Sequence, residues 1–305
     1  MRKQGARDAT EPLTKAVRVP NHSPMTAHDL IKVDDWTGPG QLWRLKSAPM
    51  IGTPVLITHG TFSNADTCLP MAQFFGQSAP TYVIEWRARD LKRGNVSQFD
   101  YHDLAEGEMC AAITDLALRY PDKGVHIVAH SGGGLAMVLA CLHAPEVTKM
   151  VRSMTLLGAQ ATHSHLAPKR VQLSMKVMVY LGKWLGYWPA HYVRLGPCSE
   201  ANGIMKNWAQ WNRSRQFSDR LGRDVIAQLA GVKVPTLVLA GAADTFIAPS
   251  EGCREIAKGF GPNATFEICG RAQGYSEDFN HARLIRSRAA AASLWPRIAE
   301  WMAQH

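Results

Sequence analysis

The stretch Val125-His126-Ile127-Val128-Ala129-His130-Ser131-Gly132-Gly133-Gly134 joins an apolar, β-branched run to a serine set among small residues. A helix-compatible stretch, Leu135 to His143, follows. That order describes a sharp strand–turn–helix elbow, which holds a serine hydroxyl above the end of a sheet. The small residues have a steric reason. The serine sits in a strained backbone conformation, and Ala129 and Gly133, two positions either side, are expected to face each other across the turn. Ala129 stands where the pattern Gly-x-Ser-x-Gly has glycine, and alanine is small enough for the turn to survive. A plain strand-to-helix turn is the competing reading of so short a motif. A hydroxyl here becomes a nucleophile only if a base, an acid and oxyanion donors come from elsewhere in the chain.

Histidine suits the base, because its ordinary pKa lies near neutrality. After Thr236 the chain has two histidines, His281 and the terminal His305. His281 follows Asp278-Phe279-Asn280, in a loop between the last strand and the final helix, and is the expected base. A carboxylate must then fix the tautomer and stabilise the imidazolium. Asp244 follows the buried run Leu237 to Ala240 and the small residues Gly241 to Ala243, so it falls at the carboxyl end of a core strand. It is the expected acid; its other reading is a turn residue capping the helix that starts near Pro249. Asp278 is a reserve, too near His281 in sequence to suit. Two backbone N–H groups are needed for the oxyanion. Gly132, at a helix start, is one expected donor, and Thr61, after His59-Gly60 at the end of an early strand, is the other. His59 and His130 are expected to shape these turns and not to act as a base or a metal pair.

These groups need a framework. Asp29 to Val33 and Gln41 to Leu45 read as short strands joined by Thr37-Gly38-Pro39-Gly40. Val55 to Thr58, Tyr82 to Trp86, Val125 to Ala129, Met154 to Leu157, Thr236 to Ala240 and Thr265 to Ile268 read as further strands. A helix is expected over Tyr101 to Arg119, with Leu104, Met109, Ile113, Leu116 and Leu118 on its apolar side, and another over Ala289 to Met302. Apolar strands alternating with helices imply a mostly parallel sheet covered on both faces. Residues 161–232 interrupt that rhythm with Trp-, Met-, Tyr- and Lys-rich helical patterns and no clear buried strand. They read as a helical cap inserted in a core of 29–160 and 233–305, behind a basic arm at 1–28. In Val171 to Trp188, Lys176 and Lys183 share a face, leaving Met175, Met178, Val179, Leu181, Trp184 and Leu185 for the others. A cap helix packed over an apolar pocket is preferred here to a membrane-surface helix.

Composition narrows the classes. Apolar residues make up 46% and charged residues 19% of 305, a globular balance. Met1 to Pro20 is basic and polar with no apolar run, and no segment is long and uncharged enough to span a bilayer, so the expected compartment is the cytoplasm. The six cysteines have no C-x-x-C spacing and read as reduced, mostly buried side chains. The net charge of +9 raises nucleic acid as a partner. However, the cations are dispersed apart from the N-terminus, Arg87 to Arg93 and Arg283 to Arg288, and no nucleic-acid motif accompanies them. A basic enzyme surface is the preferred reading.

Taken together, the elbow, Asp244, His281 and the His59-Gly60-Thr61-Phe62-Ser63-Asn64 turn resemble the α/β-hydrolase superfamily from about residue 45 onward, in its chain order of serine, acid, histidine. The lipase/esterase branch is the nearest in detail. Ala129 to Gly133 resembles an elbow variant with alanine first, and Tyr275 to His281 resembles the histidine region of acid-lipase-like enzymes. Leu195-Gly196-Pro197 and Asn207-Trp208-Ala209-Gln210-Trp211-Asn212-Arg213 are similar to capped bacterial hydrolases of undetermined substrate. The resemblance implies a mostly parallel eight-stranded sheet with an inserted cap. It also implies cleavage of a small-molecule acyl ester through an acyl-enzyme, with no cofactor and no metal. The same triad also serves acyl transfer and thioester or amide cleavage. A reading of a different class is a non-catalytic ligand-binding or membrane-surface module.

Overall fold

The structure is a computed structural model that describes residues 29–92, 98–190 and 196–305, without the side chains of 171, 174–176 and 178. The expected arm at 1–28, Arg93, Leu195 and the side chains of Met175, Lys176 and Met178 therefore lie outside the described residues. The strands are β1 (Leu30–Lys32), β2 (Gln41–Leu45), β3 (Val55–Thr58), β4 (Thr81–Glu85), β5 (Val125–His130), β6 (Val151–Leu157), β7 (Tyr187–Trp188), β8 (Glu200–Ala201), β9 (Thr236–Gly241) and β10 (Ala264–Cys269). The helices are α1 (Ala65–Phe75), α2 (Tyr101–Leu104), α3 (Cys110–Arg119), α4 (Gly132–His143), α5 (Pro145–Thr148), α6 (Lys169–Leu185), α7 (Asn202–Ser214), α8 (Val225–Gln228), α9 (Ser250–Phe260), α10 (Arg283–Arg286) and α11 (Trp295–Gln304).

Eight strands form one sheet in the order β1-β2-β4-β3-β5-β6-β9-β10. The β1–β2 and β2–β4 pairs are antiparallel and the rest are parallel. The buried runs show why both faces are covered. Leu56, Ile84, Ile127, Leu156 and Val238 face one core with α2 to α4 and α9. Their neighbours Ile57, Val83, Val128, Leu157 and Leu239 face a second core with α1, α10 and α11. Side chains that alternate along each strand thus fill two layers. The six cysteines are unpaired, five of them buried. Among the described residues no helix is long and apolar enough to cross a membrane.

Register sets the site. Thr58 lies beside Ala129, His130 beside Leu157, Leu157 beside Leu239, and Gly241 beside Cys269. The loops after β3, β5, β6 and β9 therefore open at one carboxyl edge.

Three expectations are corrected. Leu118 is 78% exposed, because two residues past Leu116 the helix has turned to its opposite side. A π-helical segment, Ala105–Met109, links α2 to α3 and turns Glu108 inward, where it binds Arg87. In the segment between β6 and β9, a buried two-stranded ribbon pairs Tyr187 with Ala201 and Trp188 with Glu200, although no buried strand was expected. Strands of two residues are too short to leave a periodic signal. Finally, most of the described large apolar side chains of α6 face away from the core. Val179 and Gly182 form its packed side, whereas Leu173, Val177, Tyr180, Leu181 and Trp184 are exposed.

Candidate active site

Ser131 follows β5 at φ 54°, ψ −123°, and α4 begins at the next residue. Its N–H donates to the Leu157 carbonyl at 2.8 Å, and its own carbonyl accepts from Gly134 N–H at 2.9 Å. The turn is held from both sides, which is what a strained residue needs in order to persist. The steric need for glycine differs from expectation. A Cβ at Gly133 would lie 2.4 Å from the His59 carbonyl oxygen and 2.8 Å from Thr58 Cγ2, so β3, and not Ala129, restricts that position. At Gly134 the obstacle would be Ala159, with Cβ atoms 2.6 Å apart.

Thr61 and Gly132 come together on this side. A Cβ at Gly132 would lie 2.3 Å from Thr61 Oγ1, 2.7 Å from the Tyr101 hydroxyl and 3.3 Å from Thr61 N. Among the described residues neither Thr61 N–H nor Gly132 N–H has a protein acceptor. Gly60 completes the contact, since a Cβ there would lie 2.7 Å from Ser131 Cβ and 3.3 Å from its Oγ. Tyr101, buried at the start of α2, shares a 2.8 Å hydrogen bond with Thr61 Oγ1.

His281 and Asp244 meet across the edge. His281 Nδ1–H donates to Asp244 Oδ2 at 2.6 Å. Asp244 Oδ1 accepts from Ile247 and Ala248 N–H, each at 3.1 Å. One oxygen therefore holds the turn ahead of α9 and the other holds the imidazole. Burial pushes the Asp244 carboxyl up, but the bonds from His281 and the two amides outweigh it and lower its pKa. Gly158, at φ 57°, lets the ring come close; a Cβ there would lie 3.1 Å from His281 Nδ1. Among the described residues no hydrogen bond joins Ser131 Oγ to His281. Asp278 is engaged elsewhere, accepting the Arg271 N–H at 2.9 Å.

The other histidines have structural partners. His59 Nδ1–H donates to the Gly60 carbonyl at 2.8 Å and its Nε2 accepts from Trp86 N–H at 3.2 Å. Both ring nitrogens are used by the neutral form, and burial holds its pKa well down. His130 Nε2–H donates to the His281 carbonyl at 3.2 Å, with the two rings 4.7 Å apart. Burial and the neighbouring His281 push its pKa down to about 3. Tyr101 and Gly158 were not anticipated as neighbours of the site. Only Tyr101 left a usable signal, because Asp100 and Asp103 form a capping box that fixes where its helix starts.

The inserted segment is fastened to the same loop. Glu200 is fully buried and binds Arg89 at 2.9 Å and Phe62 N–H at 3.1 Å. Arg87 and Arg89, read as part of a basic cluster, are thus both committed to internal carboxylates.

No protein-family model matches the chain, and no curated protein matches it in sequence. Solved structures do match. A thermophilic esterase from Thermogutta terrifontis superposes with a TM-score of 0.58 at 14% identity, over 90% of this chain and 98% of that one. An α/β fold family hydrolase from Bacillus anthracis str. Sterne gives 0.53 at 17%, over 90% and 98%. The α/β hydrolase domain-containing protein 10 from mouse gives 0.55 at 16%, over 90% and 98%. At such identities the likeness is one of architecture: this chain has the α/β-hydrolase fold.

Proposed function

We propose that the chain is a serine hydrolase that cleaves carboxylic esters. Ser131 is the nucleophile, His281 the base and Asp244 the group that orients it, with Thr61 and Gly132 N–H as oxyanion donors. The observation that carries the reading is the 2.6 Å bond from His281 Nδ1–H to Asp244, which leaves Nε2 as the basic nitrogen. Ser131 Oγ attacks the ester carbonyl and gives its proton to Nε2. The carbonyl oxygen becomes an oxyanion, bound by two N–H groups that have no protein acceptor among the described residues. The alkoxide leaves with the proton from Nε2, giving an acyl-enzyme and an alcohol. Water then attacks by the same route, releasing the acid and restoring Ser131. Serine and base close to hydrogen-bond distance when substrate arrives, as is common at sites whose contacts are loose without it.

Residues 161–232 act as a cap on a core of 29–160 and 233–305. This part of the reading is supported by the grip of Glu200 and Cys198 on Phe62, next to Thr61. Ester cleavage is favoured by the esterase and hydrolase descriptions of the structural neighbours. A fluorophosphonate tests the proposal. It is expected to add one phosphonyl group to the native chain and none to Ser131→Ala. No labelling of the native chain, or labelling that persists in the variant, would overturn it.

A further inference from the structure

Helix α6 presents an unusual surface. Leu173, Val177, Tyr180, Leu181 and Trp184 recur at helical spacing and form one stripe. Their exposure runs from 43% at Leu181 to 78% at Trp184. Single exposed apolar residues need no explanation, but five large ones in a row do. The stripe is not a misplaced core face, since the helix is already anchored by its other side. Gly182 lies so close to Trp188 that a Cβ would be 2.2 Å from the indole nitrogen. Trp188 in turn lies 6.4 Å, ring to ring, from Phe62, the residue after Thr61.

The charge along the helix is of one sign. The helix carries Lys169, Arg170, Lys176 and Lys183 and no acid, and the sequence has no Asp or Glu between Glu146 and Glu200. Lys169, Arg170 and Lys183 are exposed. Self-association would set this cationic face against its own copy across a two-fold axis, which like charges oppose. A solvated face would not carry the stripe at all. A surface that is apolar inside and anionic at its rim satisfies both features, and Trp and Tyr suit the boundary between them.

We propose that α6 docks in the headgroup layer of an anionic bilayer, with the stripe toward the acyl chains and the cations on the lipid phosphates. Docking does not depend on the hydrolase reading, and it is measured without turnover. It would bring a lipid surface within two side chains, Trp188 and Phe62, of Thr61.

Flotation of the full chain with vesicles of equal parts phosphatidylcholine and phosphatidylglycerol, against phosphatidylcholine alone, tests this. The chain is expected to float with the anionic vesicles, less so as salt rises. Trp184→Ser with Leu173→Ser should weaken flotation at least tenfold. Lys183→Gln should weaken it about fivefold, the contribution of one cation near an anionic surface. These substitutions leave the basic residues of 1–28 in place, so any contribution from that segment is constant. Thermal melts show that the variants are folded. Ser131→Ala should float like the native chain, which separates docking from catalysis. Absence of flotation, equal flotation with neutral vesicles, or flotation unchanged by the stripe variant would overturn the proposal. So would a dimer in sedimentation that the stripe variant disperses, with no flotation.

Discussion

Replacing Asp244 by Asn separates the two duties of that carboxylate. Oδ1 already accepts from two backbone N–H groups, so the asparagine oxygen must stay on that side. Its NH₂ group then faces His281 Nδ1, where Oδ2 had accepted a proton. Two donors cannot share that 2.6 Å contact, so the imidazole takes the tautomer with its proton on Nε2. That nitrogen can no longer accept the serine proton. The same inversion in a serine protease triad lowers kcat by about 10⁴-fold, or about 5.5 kcal/mol of transition-state stabilisation. The fold should be largely spared, because the turn keeps both amide bonds. Asp244→Ala, by contrast, strips two amides of their acceptor, at about 1 kcal/mol or more each. Steady-state hydrolysis of a p-nitrophenyl ester, with a denaturant melt of each variant, checks both halves. An asparagine variant within tenfold of native kcat would refute the role given to Asp244.

Three further outcomes follow from the geometry. Gly158→Ala puts a methyl 3.1 Å from His281 Nδ1, inside ordinary contact distance, so the ring must move by a few tenths of an ångström. Activity should fall about tenfold from the misplaced base, and stability by about 1–2 kcal/mol from the positive φ; native kinetics would contradict this. Glu200→Gln keeps an oxygen for Phe62 N–H but leaves the Arg89 charge unpaired beside a buried amide, at about 3–5 kcal/mol in a urea melt. An unchanged midpoint would count against a tethered insertion. Acid should destabilise the fold early. His126 and His130 are held neutral by burial, with pKa values lowered to about 4 and about 3. Their unfolded forms take up protons first, so stability is full above the ordinary histidine pKa and declines as pH falls toward those values. Asp244 adds a loss at lower pH, as it falls through the depressed carboxyl value. Urea melts at pH 7 and pH 5 with equal midpoints would contradict the histidine assignment.

The parts that were legible in the sequence are those that leave a local pattern. The runs at Val55, Val125 and Thr236 gave strands within a residue or two, because a doubly covered parallel strand is apolar throughout, and the run at Thr265 gave the half-buried edge strand. The order of these strands across the sheet was left open, although it decides the site. Asp244 and His281 were found as chemical types at strand ends; their 2.6 Å contact comes from register between β6, β9 and β10. Gly158 had no signal, because its reason is a ring 123 positions away (281 − 158). Gly133 was read as a partner of Ala129, but the limiting atoms belong to Thr58 and His59, which a local pattern does not see. On α6 an amphipathic pattern that included Leu181 and Trp184, but not Leu173, Val177 or Tyr180, was legible. Which side faced the core was not, since Trp188 and Gly182 decide it through a tertiary contact.

The central claim is that Ser131 carries the acyl group between two half-reactions. Acid quenching during turnover of a p-nitrophenyl ester, followed by intact-mass and peptide analysis, measures this directly. The expected result is a chain heavier by one acyl group, on the peptide containing Ser131, with none in Ser131→Ala. Turnover with no acylated chain at any quench time, or an acyl group on another residue, would contradict it.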